Sequence, residues 1–169
     1  MIRLATRKDL TKITELVQAV VKKMQTHGYK QWNETYPTKS EFLKDIDREE
    51  LYVYDDLGKL SGLFTLSTRG HAEYTSIKWL SDEPAWTIKR LAIAPKRHGQ
   101  GLADQLIQFS EELARKSGIY RLNADTYEEN VYAKQLFHRH HFQLVDQRED
   151  PRNKGLLFYY EKILSKEGD

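Results

Sequence analysis

The spacing of apolar residues predicts two helices in the first third of the chain. Between residues 13 and 24 the apolar positions recur at helical spacing, which is typical of a helix with one buried face. Thr6, followed three residues later by Asp9, resembles the capping pair that opens a helix, and Gly28 offers a stop. A second helix is predicted over residues 39–48.

Short apolar or alternating segments predict strands in the first half of the chain. Residues 2–4, 51–54 and 60–66 have this pattern, and the turn-rich segment between the last two predicts a hairpin. Residues 86–94 alternate as expected for a buried strand. The preceding segment is less regular, although residues 74–80 are of strand-forming types.

The second half of the chain alternates between helix and strand. The elements predicted there are a helix from the glycines near residue 100 to about residue 117, a strand over 119–125, a helix over 130–139, and strands over 142–147 and 156–163. The whole order is β-α-α-β-β-β-α-β-α-β-β. This order favours a mixed α/β fold of the α+β kind, in which helices cover both faces of a central sheet. Without a repeat or linker, we expect residues 1–169 to form one domain.

Composition narrows the classes of function. Lys and Arg total 27 against 25 acidic residues, so the net charge of +2 gives no support to general binding of nucleic acid or acidic membranes. The absence of cysteine excludes disulfides, thiolate metal sites and a cysteine nucleophile. No apolar run is long enough to span a bilayer and the first residues lack a signal core, so a cytoplasmic location is expected.

A glycine turn between a strand and a helix carries the clearest chemistry. Gly99 and Gly101 remove side chains where a ligand could touch the backbone, and the first amides of the following helix have no acceptor within the helix. Lys96 and Arg97 add positive charge near this point. The turn therefore suits a diphosphate, but by itself it does not distinguish coenzyme A from a nucleotide or a simple helix cap.

Two motifs resemble those of a known family. The segment from His98 to Ala103, His-Gly-Gln-Gly-Leu-Ala, resembles the Gln/Arg-x-x-Gly-x-Gly/Ala motif with which the GNAT superfamily of N-acetyltransferases binds acetyl-CoA. His98 departs from the pattern at the first position, where the adjacent Arg97 can supply the charge. Residues 130–142 resemble the family's Asn-x-x-Ala-x-x-Leu-Tyr-x-x-x-Gly-Phe segment, with Phe137 in place of the Tyr.

The resemblance implies a fold and a cofactor site. GNAT proteins have a mixed, mostly antiparallel sheet in which two parallel strands splay apart, and the pantetheine arm of acetyl-CoA lies in the gap while the glycine turn holds the pyrophosphate. No metal is implied. The residues that the resemblance assigns to cofactor binding are Leu91, Ala92, Ile93, Arg97, His98, Gly99, Gln100, Gly101, Leu102, Ala103, Asn130, Ala133 and Phe137.

The resemblance also implies direct acetyl transfer to a primary amine of a small molecule or peptide. Because an aliphatic amine is mostly protonated at neutral pH, a base must remove a proton, and Glu73 or Asp125 could do so through water. His98 is a third candidate. The family's general acid is a Tyr at the position of Phe137, so Tyr132 or Tyr127 would have to serve from nearby unless the thiolate leaves unassisted.

Other interpretations of the sequence stay open. The replacement at Phe137 also suits an acyl-CoA binding or sensing module with little transferase activity, and an interaction domain with an empty cleft is a third hypothesis. The histidines at 138, 140 and 141 suggest a metal site, but cations at the end of a helix explain them more simply. Five aromatic residues could line an acceptor pocket or form the core: Trp32, Tyr36, Tyr74, Trp79 and Trp86. The C-terminal strands would allow a homodimer.

Overall fold

The computed structural model describes residues 1–152 and 155–166. Its strands and helices are, in chain order, β1 (Ile2–Leu4), α1 (Leu10–Thr26), α2 (Lys39–Asp47), β2 (Leu51–Asp56), β3 (Lys59–Ser67), β4 (Trp86–Ile93), α3 (Leu102–Lys116), β5 (Arg121–Tyr127), α4 (Val131–Arg139), β6 (Gln143–Glu149) and β7 (Leu156–Ile163). This order of helices and strands is the predicted one. Short 3₁₀ helices lie at Arg7–Asp9, Ala72–Ser76 and Pro95–Arg97.

The strands form a seven-stranded mixed sheet in the order β1-β2-β3-β4-β5-β7-β6. The pairs β1–β2, β2–β3, β5–β7 and β6–β7 are antiparallel. Strand β4 runs parallel to β5, with pairs recorded at Trp86↔Leu122 and Thr87↔Asn123. The predicted fold class, a mixed and mostly antiparallel sheet combined with helices, is therefore confirmed.

The chain divides into two compact units. Unit 1 consists of Met1–Leu66 with Arg90–Leu106, and unit 2 consists of Ser67–Lys89 with Ile107–Asp169. Strand β4 and helix α3 contribute residues to both units. The expectation of a single domain over residues 1–169 stays a prediction.

The core of unit 1 is apolar and is formed by helix α1 together with strands β2 and β3. Ile13 of α1, Leu51 of β2 and Leu63 of β3 are completely buried in it. Helix α1 starts where the sequence predicts, because Thr6 and Asp9 form a capping box that leads into it. The left-handed Gly28 follows its last turn, as expected for a helix stop.

The core of unit 2 is aromatic. Tyr74, Tyr127 and Tyr159 are buried there with aliphatic neighbours, and Trp79 packs against them. Beside this core, Arg121 forms a buried ion pair with Glu161. The unit therefore combines large rings with polar groups that must find partners inside the protein.

Residues 74–80, which the sequence left irregular despite their strand-forming types, do not form a strand. The chain instead forms the 3₁₀ helix Ala72–Ser76, after which Ile77 is buried. Tyr74 and Ile77 are three residues apart, so one turn directs both into the core of unit 2. The indole N–H of Trp79 donates to the carbonyl of Tyr74 at 2.8 Å and closes the segment locally. Residues of strand-forming types therefore pack into the core here although they do not form a strand.

Leu63→Ala tests the core of unit 1. Leu63 is 0% exposed, and its truncation should lower the free energy of unfolding by about 2–5 kcal/mol because a cavity remains. Leu57→Ala is the matched control, since Leu57 lies fully exposed in the β2–β3 turn, and it should change stability by less than about 0.5 kcal/mol. Urea unfolding followed by circular dichroism measures both changes. Equal losses in the two variants would contradict the assigned core.

Candidate functional site

The glycine turn lies in unit 1, between the end of β4 and the start of α3. The short helix Pro95–Arg97 ends β4, and Gly99 and Gly101 then adopt φ angles of 77° and 80°. A Cβ added to either glycine would meet nothing within 4 Å. Glycine is therefore favoured here by the left-handed backbone, and the space in front of the turn is open.

This turn presents backbone N–H groups that lack a partner. The N–H of Gln105 on α3 donates to the carbonyl of Gly101 at 3.1 Å. Among the described residues, no hydrogen bond is recorded for the five backbone amides from Gly99 to Ala103. A helix N-terminus with free amides attracts anions, so the turn fits a diphosphate such as that of coenzyme A.

Arg97 serves mainly to hold the turn. Its guanidinium donates to Asp56 at 2.7 Å, to Ser61 at 2.9 Å and to the side-chain carbonyl of Gln100 at 2.6 Å. Its charge is therefore shared with Asp56, whereas the neighbouring Lys96 is exposed. Among the side chains of the turn, Lys96 has the better access to an incoming phosphate.

His98 is tied to the protein on both sides of its ring. Its Nδ1 lies 3.2 Å from Lys23 Nζ and its Nε2 lies 3.1 Å from the carbonyl oxygen of Ile93. Because an ammonium can only donate, Nδ1 accepts and Nε2–H donates, which requires the neutral ring. Burial, followed by the charge of Lys23, lowers the pKa of His98. This histidine holds the turn against α1, whereas the resemblance assigned it to cofactor binding.

The other cofactor residues predicted from the sequence lie on β4 and α4. Leu91, Ala92 and Ile93 form the end of β4 in unit 1, with Ala92 and Ile93 buried. In unit 2, the side chain of Asn130 accepts a hydrogen bond from the backbone N–H of Ala133 at 3.1 Å and so caps α4. Capping of α4 is thus sufficient to explain why Asn stands at position 130 of the motif.

Phe137 and the end of α4 belong to the packed interior of unit 2. The ring of Phe137 is 5% exposed and lies 5.2 Å from that of Phe142 and 5.0 Å from that of Tyr160. His141 has a φ of 65° at the position where the resembling motif has Gly. The chain keeps the left-handed turn at that point even though the glycine is replaced.

Glu73 and Asp125, the two predicted bases, lie in one hydrogen-bonded cluster of unit 2. The hydroxyl of Tyr74 donates to Asp125 at 3.2 Å, and the hydroxyl of Tyr159 donates to Glu73 at 3.4 Å. The two rings contact each other edge to face with centroids 5.8 Å apart. Within the described part of the chain, neither carboxylate forms an ion pair. Spacing along the chain contains no signal for the two tyrosines as donors, because they lie 51 and 86 residues from their acceptors.

Burial and charge make Asp125 an unusually weak acid. Burial is the largest cause, and the negative charge of Glu73 adds to it, so the pKa of Asp125 is raised to about 7. The hydrogen bond from Tyr74 and the charges of Lys89 and Arg152 act in the opposite direction. A carboxyl group with a pKa near neutrality can both accept and release a proton under physiological conditions.

The tyrosines considered as proton donors have different surroundings. Tyr132 on α4 is 59% exposed. Tyr127 is buried and donates its hydroxyl proton to Asp150, and Arg152 also contacts this hydroxyl at 3.3 Å. Burial, followed by the hydrogen bond to Asp150, raises the pKa of Tyr127. Tyr127 is therefore held by Asp150 and Arg152, and of the two tyrosines Tyr132 has the more exposed side chain.

Most of the aromatic residues singled out in the sequence take part in core packing. Trp32 and Tyr74 are buried in the cores of units 1 and 2, and Tyr36 and Trp79 pack against those cores. In residues 1–152 and 155–166, no group of three or more His, Asp or Glu side chains is arranged to hold a metal ion. Over the same residues, no helix combines the length and apolar character needed to cross a membrane.

Comparison with known proteins identifies the family. A sequence model of the acetyltransferase (GNAT) family matches residues 18–142. The chain belongs to the GNAT family of acetyltransferases and is an acyltransferase by family. No curated protein is a significant match to the chain.

Solved structures with the same fold cover nearly all of the chain. A GNAT-family acetyltransferase from Streptococcus agalactiae is 26% identical with a TM-score of 0.85, over 98% of this chain and 96% of that one. A GNAT-family acetyltransferase from Listeria monocytogenes is 21% identical with a TM-score of 0.79, over 97% and 94% of the two chains. The yncA protein from Salmonella typhimurium, solved with its cofactor acetyl-CoA, is 19% identical with a TM-score of 0.72, over 98% and 94%.

Gly101→Val tests the glycine turn as an acetyl-CoA site. The variant forces a branched side chain into a left-handed position and into the space where a diphosphate would lie, so protection by acetyl-CoA against thermal unfolding should be lost. In the wild type, acetyl-CoA at 100 times its dissociation constant should add about 2.7 kcal/mol. Differential scanning calorimetry with and without acetyl-CoA measures the effect.

Gly118→Val is the matched control for this test. Gly118 follows the other end of α3 and has a φ of 76° with nothing within 4 Å of an added Cβ. It therefore imposes similar backbone strain away from the turn, and protection by acetyl-CoA should remain. Full protection of Gly101→Val would contradict the assignment of the turn.

Asp125→Asn tests the raised pKa of Asp125. Since the pKa is higher in the folded protein than the ordinary value of 3.8, wild-type stability is lost as the pH rises from about 4 to about 7, where folding must keep a buried negative charge. The neutral amide avoids this loss. The stability of the variant relative to wild type should rise by on the order of 2 kcal/mol between pH 5 and pH 8. Urea unfolding at both pH values measures it, and an unchanged difference would contradict the raised pKa.

Proposed function

We propose that this acyltransferase moves the acetyl group of acetyl-CoA directly to a primary amine of a small molecule or peptide. The proposal is carried by the five backbone N–H groups without a recorded partner between Gly99 and Ala103. They suit the diphosphate of coenzyme A, and the yncA protein of similar fold binds acetyl-CoA. Within unit 1, the backbone of Leu91–Ile93 is assigned to the pantetheine amides.

Asp125 is the proposed general base. Acetyl-CoA supplies the thioester, whose C–S bond breaks as the new amide bond forms. The acceptor amine arrives mostly as an ammonium ion, so it must lose a proton before it attacks. With a pKa of about 7, the carboxylate of Asp125 can take that proton, directly or through water, and return it to solvent. Glu73 contributes by keeping this pKa high.

The departing thiolate receives no proton from Phe137. The buried phenyl ring has none to give, and Tyr127 already donates to Asp150. We therefore assign the role of general acid to Tyr132, which is exposed. Tyr132 gives its hydroxyl proton to the thiolate, and the second proton that the amine loses on forming the amide restores the Tyr132 hydroxyl, so that free thiol and amide are the products.

The pH dependence of transfer tests the role of Asp125. The rate should fall as the pH drops below about 7, because protonation removes the base. Glu73→Gln removes a neighbouring negative charge and should move this limb to lower pH. Tyr74→Phe removes the hydrogen bond that favours the carboxylate and should move the limb to higher pH. Thiol release from acetyl-CoA with a panel of amines, followed from pH 5 to 9, measures the shifts.

Two further variants complete this test. Asp125→Asn should lower kcat by about 10²–10⁴-fold above pH 7, and the difference from wild type should shrink as the pH falls and the wild-type base is protonated. Tyr132→Phe should lower kcat without moving the acid limb. Shifts of the limb in the same direction for Glu73→Gln and Tyr74→Phe would contradict Asp125 as the base.

The alternative is an acyl-CoA binding or sensing module, which Phe137 specifically favours. Such a module would be stabilised by acetyl-CoA yet release no thiol above the solvent rate with any amine. The same melting and thiol-release measurements separate the two functions. The cytoplasmic location and the homodimer stay predictions.

A further inference from the structure

Arg90 has a left-handed backbone within strand β4. Its φ is 51°, although it lies between the strand residues Lys89 and Leu91. A residue with a Cβ is strained in this conformation, because the Cβ approaches the following carbonyl oxygen. Such a conformation persists only where the surrounding structure enforces it, and it is common beside functional sites.

The side chain of Arg90 is held by a buried network within unit 1. Its Nε and Nη2 donate to the two carboxylate oxygens of Asp45, both at 2.8 Å, and its Nη1 donates to the hydroxyl of Tyr36 at 3.0 Å. Thr65 on β3 donates to the same carboxylate at 2.7 Å. The Arg90 and Asp45 side chains are only 10% and 3% exposed. The guanidinium thus connects β4 to α2 and to the segment that precedes α2, and the carboxylate of Asp45 connects them to β3.

This network can enforce the left-handed backbone. A pair of parallel hydrogen bonds fixes both the position and the plane of the guanidinium. Because Asp45 would be left as an uncompensated buried charge if Arg90 withdrew, the side chain cannot follow a relaxing backbone at low cost. The ion pair and the strained φ angle are therefore two parts of one arrangement.

The residues that follow Arg90 are those assigned to the pantetheine arm. A left-handed residue within a strand turns the next peptide groups out of the regular ladder. We infer that the ion pair between Arg90 and Asp45 is a positioning device, which sets the backbone direction of Leu91–Ile93 for hydrogen bonds to the pantetheine amides of acetyl-CoA. This inference rests on the proposed function, since it requires acetyl-CoA binding.

A comparison of Arg90→Gly with Arg90→Ala tests the inference. Both variants lose the guanidinium, but only glycine adopts a φ near 50° without strain. Arg90→Gly should therefore keep an acetyl-CoA dissociation constant within about threefold of wild type, whereas Arg90→Ala should relax and bind at least about tenfold more weakly. Arg90→Asn should fall between them, because Asn tolerates left-handed backbone better than Ala. Isothermal titration calorimetry gives the constants.

Asp9→Asn is the control for loss of an ion pair in the same unit. Asp9 accepts two hydrogen bonds from Arg3, each at 2.9 Å, so its replacement breaks a similar pair away from β4. Its acetyl-CoA affinity should stay within about twofold of wild type. Urea unfolding of every variant shows which are folded, and the Gly and Asn variants still give a comparison if the Ala variant does not fold.

The outcomes separate this inference from the proposed function. The positioning role is overturned if the folded Gly, Asn and Ala variants bind acetyl-CoA equally well, or if the Gly variant binds it more weakly than the other two. In that case the proposed acetyl-CoA site still stands, provided that the wild type binds acetyl-CoA. If the wild type itself binds no acetyl-CoA, the proposed function fails and this inference fails with it. A selective loss in Arg90→Ala, recovered by glycine, supports it, because an ion pair that only added stability would not favour glycine.

Discussion

Backbone N–H groups need a hydrogen-bond partner, and five in a row, from Gly99 to Ala103, have none among the residues that the structure describes. The two left-handed glycines that precede α3 create this situation. Side chains, and not the amides, hold the turn in place. Arg97 donates hydrogen bonds to Asp56 and Ser61. His98 forms hydrogen bonds with Lys23 and the carbonyl of Ile93. Because these side chains fix the shape of the glycine turn, its amides are already oriented before an anion arrives, and binding does not have to order them.

In unit 2, an ionisable group, the carboxyl group of Asp125, lies where a negative charge is unfavourable. Asp125 has one tyrosine hydroxyl as hydrogen-bond donor and a second carboxylate near it, and its pKa is raised to about 7 in consequence. Ionisation of this buried carboxyl group lowers the stability of the fold as the pH rises toward neutrality. The proposed role of Asp125 as general base is consistent with that loss, since stability is commonly lower at active sites. The aromatic core around Tyr74 and Tyr159 keeps the cluster in place.

The sequence predicted the fold well because its signals are local. The helical spacing of α1, the hairpin of β2 and β3 and the glycines before α3 each lie within about 20 residues, and each element formed where it was expected. The segment at Tyr74 could not be assigned from the sequence, because its residues suit a strand by type, whereas Tyr74 and Ile77 pack into the aromatic core from a 3₁₀ helix. The periodicity of a segment contains no information about core residues that lie far away along the chain, such as Tyr127 and Tyr159 here.

The candidate site was predictable only in part, for the same reason. The glycine turn is contiguous and could be found from its residue types. The role of His98 depends on Lys23, and the donor to Asp125 is Tyr74, so neither could be inferred from spacing. The left-handed Arg90 also has no sequence signal, since non-glycine residues seldom adopt this conformation and its cause lies 45 residues away at Asp45.

The buried pair of Arg121 and Glu161 bears on local unfolding. Glu161 accepts the backbone N–H of Leu80 at 2.7 Å, and Arg121 donates to the carbonyl of Glu83 at 2.7 Å while its guanidinium lies 5.3 Å from the Trp79 ring centre. A stretch without regular secondary structure is thus tied at both ends to interior charges. Local unfolding of this stretch would remove one hydrogen bond from each member of the buried ion pair and let water reach it. The amide hydrogen of Leu80 should therefore exchange for deuterium as slowly as those of strands β5 and β7, which contain Arg121 and Glu161.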